Sequence, residues 1–238
     1  MSTGQLRKRI GRAAIVTLVL IGCASALAAQ RTVTKAQATS VASSLNLRKA
    51  DLPGFTQVGQ EAPLGPAARR LEASFAACYK GPPYSAIYAD VESPGFRAGA
   101  PSATFALTET EIFPTAALAS RDIAAAGGAR GRACALSFGK AAVSPVKGTK
   151  ILGTITSIAS RVRGTGATIA VRLTLTQVPT SAGGPAMKVI GTQDELSFAR
   201  GQAEVGLDVG TDSAVAPSAS LERRLASLES ARLRAVIG

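Results

Sequence analysis

Two glutamates, Glu109 and Glu111, come closest in this chain to a pair that could do chemistry. They stand two apart in a run, Ser102–Phe113, that is typical of a strand, so both side chains lie on one face. Paired carboxylates can act as general acid and base, as in glycoside hydrolysis. The pair shares its face with Phe105 and Leu107. This leaves two alternatives, acids that line a cleft or a solvated strand end.

Other catalytic signatures are missing from the sequence. The chain contains no histidine, which excludes Ser-His-Asp and Cys-His machinery and the zincin motifs. The stretch Gly127–Arg132 could cradle an anion at a helix start, but it lacks the Lys-Ser/Thr ending of a P-loop. We interpret it as a helix–helix connection. We therefore predict no catalytic residue, no cofactor and no metal site, and a protein that is not an enzyme.

The cysteines indicate a covalent link within the folded part of the chain. After Cys23, only Cys78 and Cys134 remain. In an oxidising compartment two such cysteines most simply form one disulfide, and closing a loop of this length contributes roughly 4 kcal/mol in the chain-entropy description. Two thiolates without histidine make a poor zinc site. Two buried free thiols are the other alternative.

The first residues have the layout of an export signal. A basic stretch, residues 7–12, precedes a short apolar run from Ala13 to Gly22, which predicts a signal peptide at residues 1–22. Leu20-Ile21-Gly22-Cys23 resembles the bacterial lipobox, so lipidation of Cys23 would place the protein on the outer face of the cell membrane. Residues 23–34 would then form a tether, and residues 35–238 a single domain.

Two other fates of this segment stay open. A general signal peptidase could cut after Ala28, because Ala26 and Ala28 supply small residues at the required spacing; the protein would then be secreted. An uncleaved anchor is the third alternative, although the apolar run is short for a membrane span.

Composition restricts the classes of partner. The net charge is +12, and four basic residues without an acid fall in the signal, which leaves +8. A basic exported protein can lie against anionic lipid headgroups, whereas a solvated basic surface is the alternative. The chain has no tryptophan and few other aromatic residues, which argues against an aromatic platform for carbohydrate or single-stranded nucleic acid. We expect no nucleic-acid partner.

Hydrophobic periodicity predicts an α+β fold, with an antiparallel sheet flanked by helices. Helical patterns fall at residues 34–45, 67–79, 114–126, 130–140 and after Pro217. Strand patterns fall at 56–58, 85–92, 102–113, 151–162, 167–176, 187–199 and 202–209. Arg163–Gly166 predicts a tight hairpin turn. The alternation predicts one apolar sheet face, which the helices would cover.

One segment, Leu47–Phe55, resembles a known group of proteins. Its Leu-x-x-x-Asp-Leu-Pro-Gly-aromatic pattern, together with the leader and two spaced cysteines, is similar to exported actinobacterial proteins. These are PsbP-like lipoproteins and the extracellular sensor domains of serine/threonine kinases. The segments Pro114–Ala119 and Phe198–Val205 and the Leu-Glu-Arg-Arg-Leu helix at residue 221 fit the same pattern. The resemblance implies a PsbP-like sandwich and a binding or sensing role, and it assigns no functional residue.

Three hypotheses on function follow. The first is a non-enzymatic envelope protein, anchored by lipid, that binds a small apolar ligand or an envelope protein partner. The second is a hydrolase that uses carboxylates such as Glu109 and Glu111, and the third is a structural surface protein. A deep apolar pocket would favour the first, convergent carboxylates in a cleft the second, and a filled core the third.

Overall fold

In a computed structural model, the chain is described at residues 32–99, 103–143, 145–181 and 186–238. The predicted signal peptide, the lipidation site Cys23 and the alternative cut after Ala28 lie outside these residues. The helices are α1 (Lys35–Leu45), α2 (Pro66–Tyr79), α3 (Ala116–Gly127), α4 (Ala129–Ala141) and α5 (Ala219–Ile237). The strands are β1 (Thr56–Val58), β2 (Ala62–Pro63), β3 (Ala89–Glu92), β4 (Gly95–Ala98), β5 (Thr104–Ile112), β6 (Thr149–Ser157), β7 (Ile169–Pro179), β8 (Lys188–Arg200) and β9 (Ala203–Thr211).

The strands form one antiparallel sheet, which confirms the predicted α+β class. Its strand order is β1-β4-β5-β9-β8-β7-β6. Strand β5 pairs with β4 along its first residues and with β3 along its last residues, and β2 pairs with β3. The pairing of β5 with β9 joins the first half of the chain to the second. It runs from Thr104 opposite Thr211 to Ile112 opposite Ala203.

One face of the sheet, which we call the core face, carries the main hydrophobic core. Helix α1 contacts β3 and β5 there, and α5 contacts β8 and β9. Alternate residues of β9 point into this core as the sequence predicts, and all are fully buried: Ala203, Val205, Leu207 and Val209. Asn46 provides hydrogen-bond partners for polar groups buried in this core. Its amide donates to the Val91 carbonyl, and its Oδ1 accepts from the Thr110 hydroxyl.

The opposite face is covered as well, which corrects the prediction of one covered face. Helix α3 contacts β8 and β9, and α4 contacts β6 and β7, while α2 packs on α4. Ile123 of α3 is buried against Ile169 and Val171 of β7. Strand β7 therefore has apolar or paired residues on both sides, since Arg172 points to the core face and binds Asp194.

Three local predictions differ from the structure. The tight turn at Arg163–Gly166 is wrong, because β6 ends at Ser157 and Ile158 and Val162 turn into the core. Strand β4 was not predicted, since Gly95 suggested a break. In α2 the helical spacing of Leu71, Phe75 and Cys78 predicts one apolar stripe, but Leu71 is 54% exposed. Leu71 is not part of the apolar cluster that Phe75 and Cys78 join.

A disulfide joins the helices on this opposite face. Cys78, near the end of α2, is bonded to Cys134 of α4, with a Cα–Cα separation of 6.0 Å. Phe75 and Tyr79 pack beside the bridge, and their rings meet edge to face with centroids 4.9 Å apart. The covalent link therefore stands inside a small apolar cluster that fixes α2 over the sheet.

Candidate functional site

Most of the acidic residues of this basic protein share one side of the sheet, which we call the acidic face. Cross-strand pairing fixes this, because Glu111 stands opposite both Asp90 and Glu204, and Glu195 stands opposite Asp208. Helices α2 and α3 add one carboxylate each from above. Nine of the fifteen acids in the chain belong here: Glu72, Asp90, Glu92, Glu109, Glu111, Asp122, Glu195, Glu204 and Asp208.

Six of these carboxylates line a cavity of about 100 Å³ between the sheet and helices α2 and α3. We call it the acidic cavity. Its acids are Glu72, Glu109, Glu111, Asp122, Glu195 and Glu204. Gly206 forms part of the floor, and a Cβ added there would meet only the Glu109 carbonyl oxygen, at 3.8 Å. The space above Gly206 is therefore left by the lack of a side chain, as at strand glycines that a ligand approaches closely.

Three acids of the cavity come together from distant parts of the chain. One oxygen each of Glu111, Asp122 and Glu204 lies within 4.8 Å of the other two. Glu111 and Glu204 are direct partners on β5 and β9, so the sheet register sets their spacing. Asp122 reaches them from α3, which begins after its N-cap Thr115 and is held by Ile123.

Tyr79 of α2 orients one member of this triad. Its hydroxyl donates a hydrogen bond of 2.8 Å to Oδ1 of Asp122, and both side chains are buried. Burial and the neighbouring Asp122 carboxylate raise the pKa of Tyr79, so it remains a neutral donor. Glu72 lies two turns before Tyr79 on the same side of α2, which brings a further acid to the cavity wall.

Glu204 is buried without full hydrogen bonding. The residue is only 8% exposed, and its Oε2 is buried without a hydrogen-bond partner. Three other acids of this face also carry a buried oxygen without a partner: Asp90 at Oδ1, Glu109 at Oε1 and Asp208 at Oδ1. Burying an ionised carboxylate without a counter-charge is costly, so such groups take up a proton or a cation.

Burial raises the pKa values throughout the cavity, and mutual repulsion adds to the effect. The pKa of Glu204 is well above its usual range because of burial and the charges of Asp122 and Glu195. That of Glu111 rises in the same way through burial and the charge of Glu204. Burial first, and then nearby acids, raise the pKa values of Glu72 and Glu195 to about 7.

The protein supplies little positive charge to this group of acids. None of the residues lining the cavity is a lysine or an arginine. Arg121 lowers the pKa of Asp122 by its charge, although burial outweighs it. All five ion pairs among the described residues involve acids outside the acidic face. The arrangement can therefore hold protons or a cation.

The structure brings some of the residues from the sequence analysis into this site. Glu109 and Glu111 line the cavity and are half-buried, so the alternative of a solvated strand end is wrong. Gly127–Arg132 spans the end of α3, the connecting residue Gly128 and the first turn of α4. Its two arginines are used locally, since Arg130 donates to the Cys78 carbonyl and Arg132 donates to the Gly127 carbonyl.

Sequence reasoning missed four acids of the cavity: Glu72, Asp122, Glu195 and Glu204. The alternation of residues 202–209 predicts two faces for β9, with Glu204 and Asp208 opposite the apolar residues, and the structure agrees. The sequence indicates no helical layer over the polar side, because it predicts only one apolar sheet face. The available signal was the run of acids at the polar positions of consecutive strands in a chain of net charge +12.

A second pocket, of about 170 Å³, lies elsewhere on the same side of the sheet, where β5, β7, β8 and β9 contribute residues. Its apolar residues are Phe105, Leu173, Leu175 and Ile190. It has an apolar wall of the kind that the hypothesis of a small apolar ligand requires. The ring of Phe105 lies over Gly210, where an added Cβ would come within 2.1 Å of it.

Comparison with known proteins gives limited information. No family model matches the chain, and no curated protein matches it. Among solved structures, the chain is similar to the extracellular domain of PknH from Mycobacterium tuberculosis. The identity is 10% and the TM-score 0.46, with 86% of this chain and 99% of that chain covered. The likeness to kinase sensor domains and to PsbP-like lipoproteins stays a prediction. No helix of the described residues has the length and hydropathy to cross a membrane.

Proposed function

We propose that this protein is a non-enzymatic, sensor-like domain on the exported side of the membrane that binds a cation in the acidic cavity. The observation that carries the proposal is the convergence of six carboxylates in a cavity whose lining includes no lysine or arginine. The predicted export signal gives the location, and lipidation of Cys23 with membrane attachment belongs to the same proposal.

Electrostatics makes a bound cation the natural partner of these groups. Several carboxylates within a few ångströms repel one another more strongly in a protein interior than in water. Without a counter-ion they keep protons, which is what the raised pKa values of Glu111 and Glu204 express. A cation that replaces these protons interacts with several charges at once and stabilises the folded state by mass action.

The size of the cavity selects among ligands. About 100 Å³ accommodates an ion with a few waters, whereas pockets for drug-sized molecules measure roughly 300–1,000 Å³. This argues against a sugar ring or a lipid chain in the cavity. The expectation of a small apolar ligand therefore turns to the separate pocket beside Phe105, and the acidic cavity is assigned to a small cation.

Binding there would couple separate parts of the fold, which is what a sensor-like role requires. Glu204 and Glu111 belong to the sheet, Asp122 to α3 and Glu72 to α2. A cation held between them would fasten the helical layer to the sheet. The state of that layer would thus report on cation concentration outside the cell.

The test is thermal unfolding of the full chain, exported with its own leader, with and without cations. We expect calcium, magnesium or a diamine such as putrescine to raise the melting temperature in a saturable way. The same titration on Glu204→Gln should give a smaller rise. If no cation of either class alters the melting temperature, the proposal is wrong.

A carboxylate hydrolase is the second candidate, because convergent carboxylates in a cleft are what its sequence hypothesis required. An acid–base pair needs environments that push two pKa values apart, whereas here Glu109 and Glu111 are both shifted upwards by burial and nearby acids. Turnover of a chromogenic glycoside or ester that is lost in Glu109→Gln and Glu111→Gln would favour this candidate over the first.

A further inference from the structure

We infer that Glu111, Asp122 and Glu204 are the ligands of a calcium-type divalent cation. The inference rests on the proposed function, and it names the ligand class of the same cavity. The sequence alone predicts no metal site, because it has no histidine and only two cysteines after Cys23. The triad becomes visible only when β5, β9 and α3 are assembled.

The spacing of the triad fits a large, hard cation. Its three oxygens lie within 4.8 Å of one another. Calcium–oxygen distances are about 2.3–2.6 Å, so two oxygens bound to one ion are at most about 4.6–5.2 Å apart, and the triad lies within that reach. Magnesium demands near-ideal octahedral geometry and is usually bound through one or two carboxylates, whereas calcium accepts flexible sets of several carboxylates. Three convergent carboxylates therefore favour calcium over magnesium.

The available donors point to the same class of metal. The chain has no histidine, and Cys78 and Cys134 are consumed by their disulfide. Soft and borderline metals are selected by thiolate and imidazole, whereas carboxylate sites suit calcium, magnesium and manganese. An exported protein meets calcium as an ordinary component of its surroundings, and sites of this kind outside cells bind it at roughly 0.1–1 mM.

Glu204 provides the observation that is independent of the cluster itself. It is more than nine-tenths buried, it lines the cavity, and its Oε2 has no hydrogen-bond partner. A structural carboxylate at this depth is normally paired or hydrogen-bonded. Asp194, which is fully buried on the core face, shows this, because Arg172 binds both of its oxygens. A bound cation supplies what Glu204 lacks.

The groups around the triad support a metal site. Tyr79 donates to Oδ1 of Asp122, which leaves that carboxylate's other oxygen available and fixes its orientation. Such outer contacts orient metal ligands and strengthen binding. Glu109 and Glu195 also line the cavity and add negative charge near the ion. Positions not taken by protein oxygens are open to water, since the cavity has room for it.

Tyr79 also gives the experiment its signal. Terbium(III) takes calcium sites and emits when a nearby aromatic side chain is excited. The chain has no tryptophan and three tyrosines, of which Tyr79 touches the triad directly. Excitation of tyrosine in the full chain should produce terbium emission that calcium displaces with a stoichiometry of one. Calorimetry with calcium alone provides the dissociation constant.

The variants test whether calcium binding depends on the triad or only on the overall negative charge of the acidic face. Glu204→Gln and Asp122→Asn should each weaken calcium binding at least about tenfold. Glu92→Gln is the matched control, because Glu92 lies on the same face but does not line the cavity, and its change should be about twofold or less. Gly206→Val should block binding while every carboxylate is retained, since its side chain would fill the cavity floor.

The outcomes distinguish this inference from the proposed function. Calcium binding that Glu204→Gln and Gly206→Val abolish and Glu92→Gln preserves supports both. If putrescine or spermidine binds in the cavity and calcium and terbium do not, the metal inference is wrong and the cation-binding function stands. If neither class binds, both are wrong. Equal weakening by Glu92→Gln would show a diffuse charge effect and overturn the triad.

Discussion

The two faces of the sheet differ in whether their buried acids are paired with arginine. On the core face, Asp194 is bound by Arg172 through both oxygens, at 2.6 and 2.5 Å, and Glu222 of α5 is bound by Arg161 at 3.0 Å. Glu222 and Glu229 keep a buried Oε2 without a partner, but an arginine binds the other oxygen of each. On the acidic face, Glu204 also has a buried Oε2 without a partner, and none of the ion pairs among the described residues includes Glu204. The buried acids of the core face are therefore paired with arginine, and those of the cavity are not.

The two faces also differ in the size of the apolar clusters that hold their helices. The core face has one continuous cluster that runs from α1 to α5. The acidic face has two small clusters, around Tyr79 and around Ile123, together with the disulfide. A layer held in this way is easier to displace locally. The face that we propose binds a ligand is therefore also the one whose helices are freer to respond.

The largest expected effect comes from removing the covalent support of the acidic face. The double variant Cys78→Ala, Cys134→Ala should lower the free energy of unfolding by about 4 kcal/mol, from the loop-closure entropy returned to the unfolded chain. Denaturant unfolding monitored by circular dichroism measures this. A thiol titration of the wild-type protein is the control, and two free thiols there would contradict the assigned bridge.

The next effect tests the paired acids. Asp194→Asn should lower the free energy of unfolding by about 3 kcal/mol, because it leaves the half-buried guanidinium of Arg172 without its main counter-charge. The same denaturant titration serves. Asp212→Asn, at an exposed position, is the control and should stay near wild type. A neutral result for Asp194→Asn would remove the contrast between the two faces.

The matching change on the acidic face should have the opposite sign. In the presence of a chelator, Glu204→Gln should raise the free energy of unfolding by about 1–3 kcal/mol, because it removes a buried carboxylate that has no partner. In saturating calcium this difference in the free energy of unfolding should disappear, because the wild type is stabilised by the bound ion and the variant is not. If Glu204→Gln destabilises the chelated protein as Asp194→Asn does, the two faces are not different in kind.

The smallest effect concerns pH and Glu229 of α5. Burial raises its pKa from 4.5 to about 8, although Arg232 and Arg48 act to lower it and Asp51 to raise it. The folded state therefore binds this proton more tightly than the unfolded state. The resulting stability is complete below about pH 4.5 and is lost as the pH rises through about 8.

Glu229→Gln should reduce the fall of unfolding free energy with pH in that window, by up to about 1 kcal/mol per pH unit. Unfolding measured at intervals from pH 5 to pH 8.5 in a chelator provides the comparison. Glu61→Gln, at an exposed position, should leave the profile as it is. A Glu229→Gln profile parallel to the wild type would contradict the assigned proton.

Local sequence patterns predicted the elements whose burial follows simple periodicity. Strand β9 alternates cleanly, and its apolar residues are buried as expected. The turn predicted at Arg163–Gly166 failed because glycines signalled a tight turn while Ile158 and Val162 were drawn into the core. Strand β4 was missed because Gly95 indicated a break, its own four residues carry little pattern, and its partner β1 is distant in sequence.

Of the residues in the candidate site, only Glu109 and Glu111 could be predicted from the sequence. The parity of Glu109 and Glu111 with Phe105 and Leu107 pointed to a cleft as one alternative. Nothing local to Glu204 indicated that it would stand opposite Glu111, because the β5–β9 pairing joins two halves of the chain. The contribution of Asp122 depends on how α3 lies over the sheet. The site depends on contacts between residues that are far apart in the chain, and local patterns in a single sequence do not indicate such contacts.

Gln202 gives the fold a mechanical property. Its side-chain amide binds Val33 at both N and O, at 2.7 and 3.1 Å, and also binds the carbonyls of Phe113 and Pro114. Tension on the chain ahead of Val33 is thus delivered to the turn between β8 and β9 before it reaches α1. Those two strands carry Glu195 and Glu204 of the acidic cavity. The chain ahead of Val33 is therefore connected through Gln202 to the turn that leads into Glu204, and not only to α1.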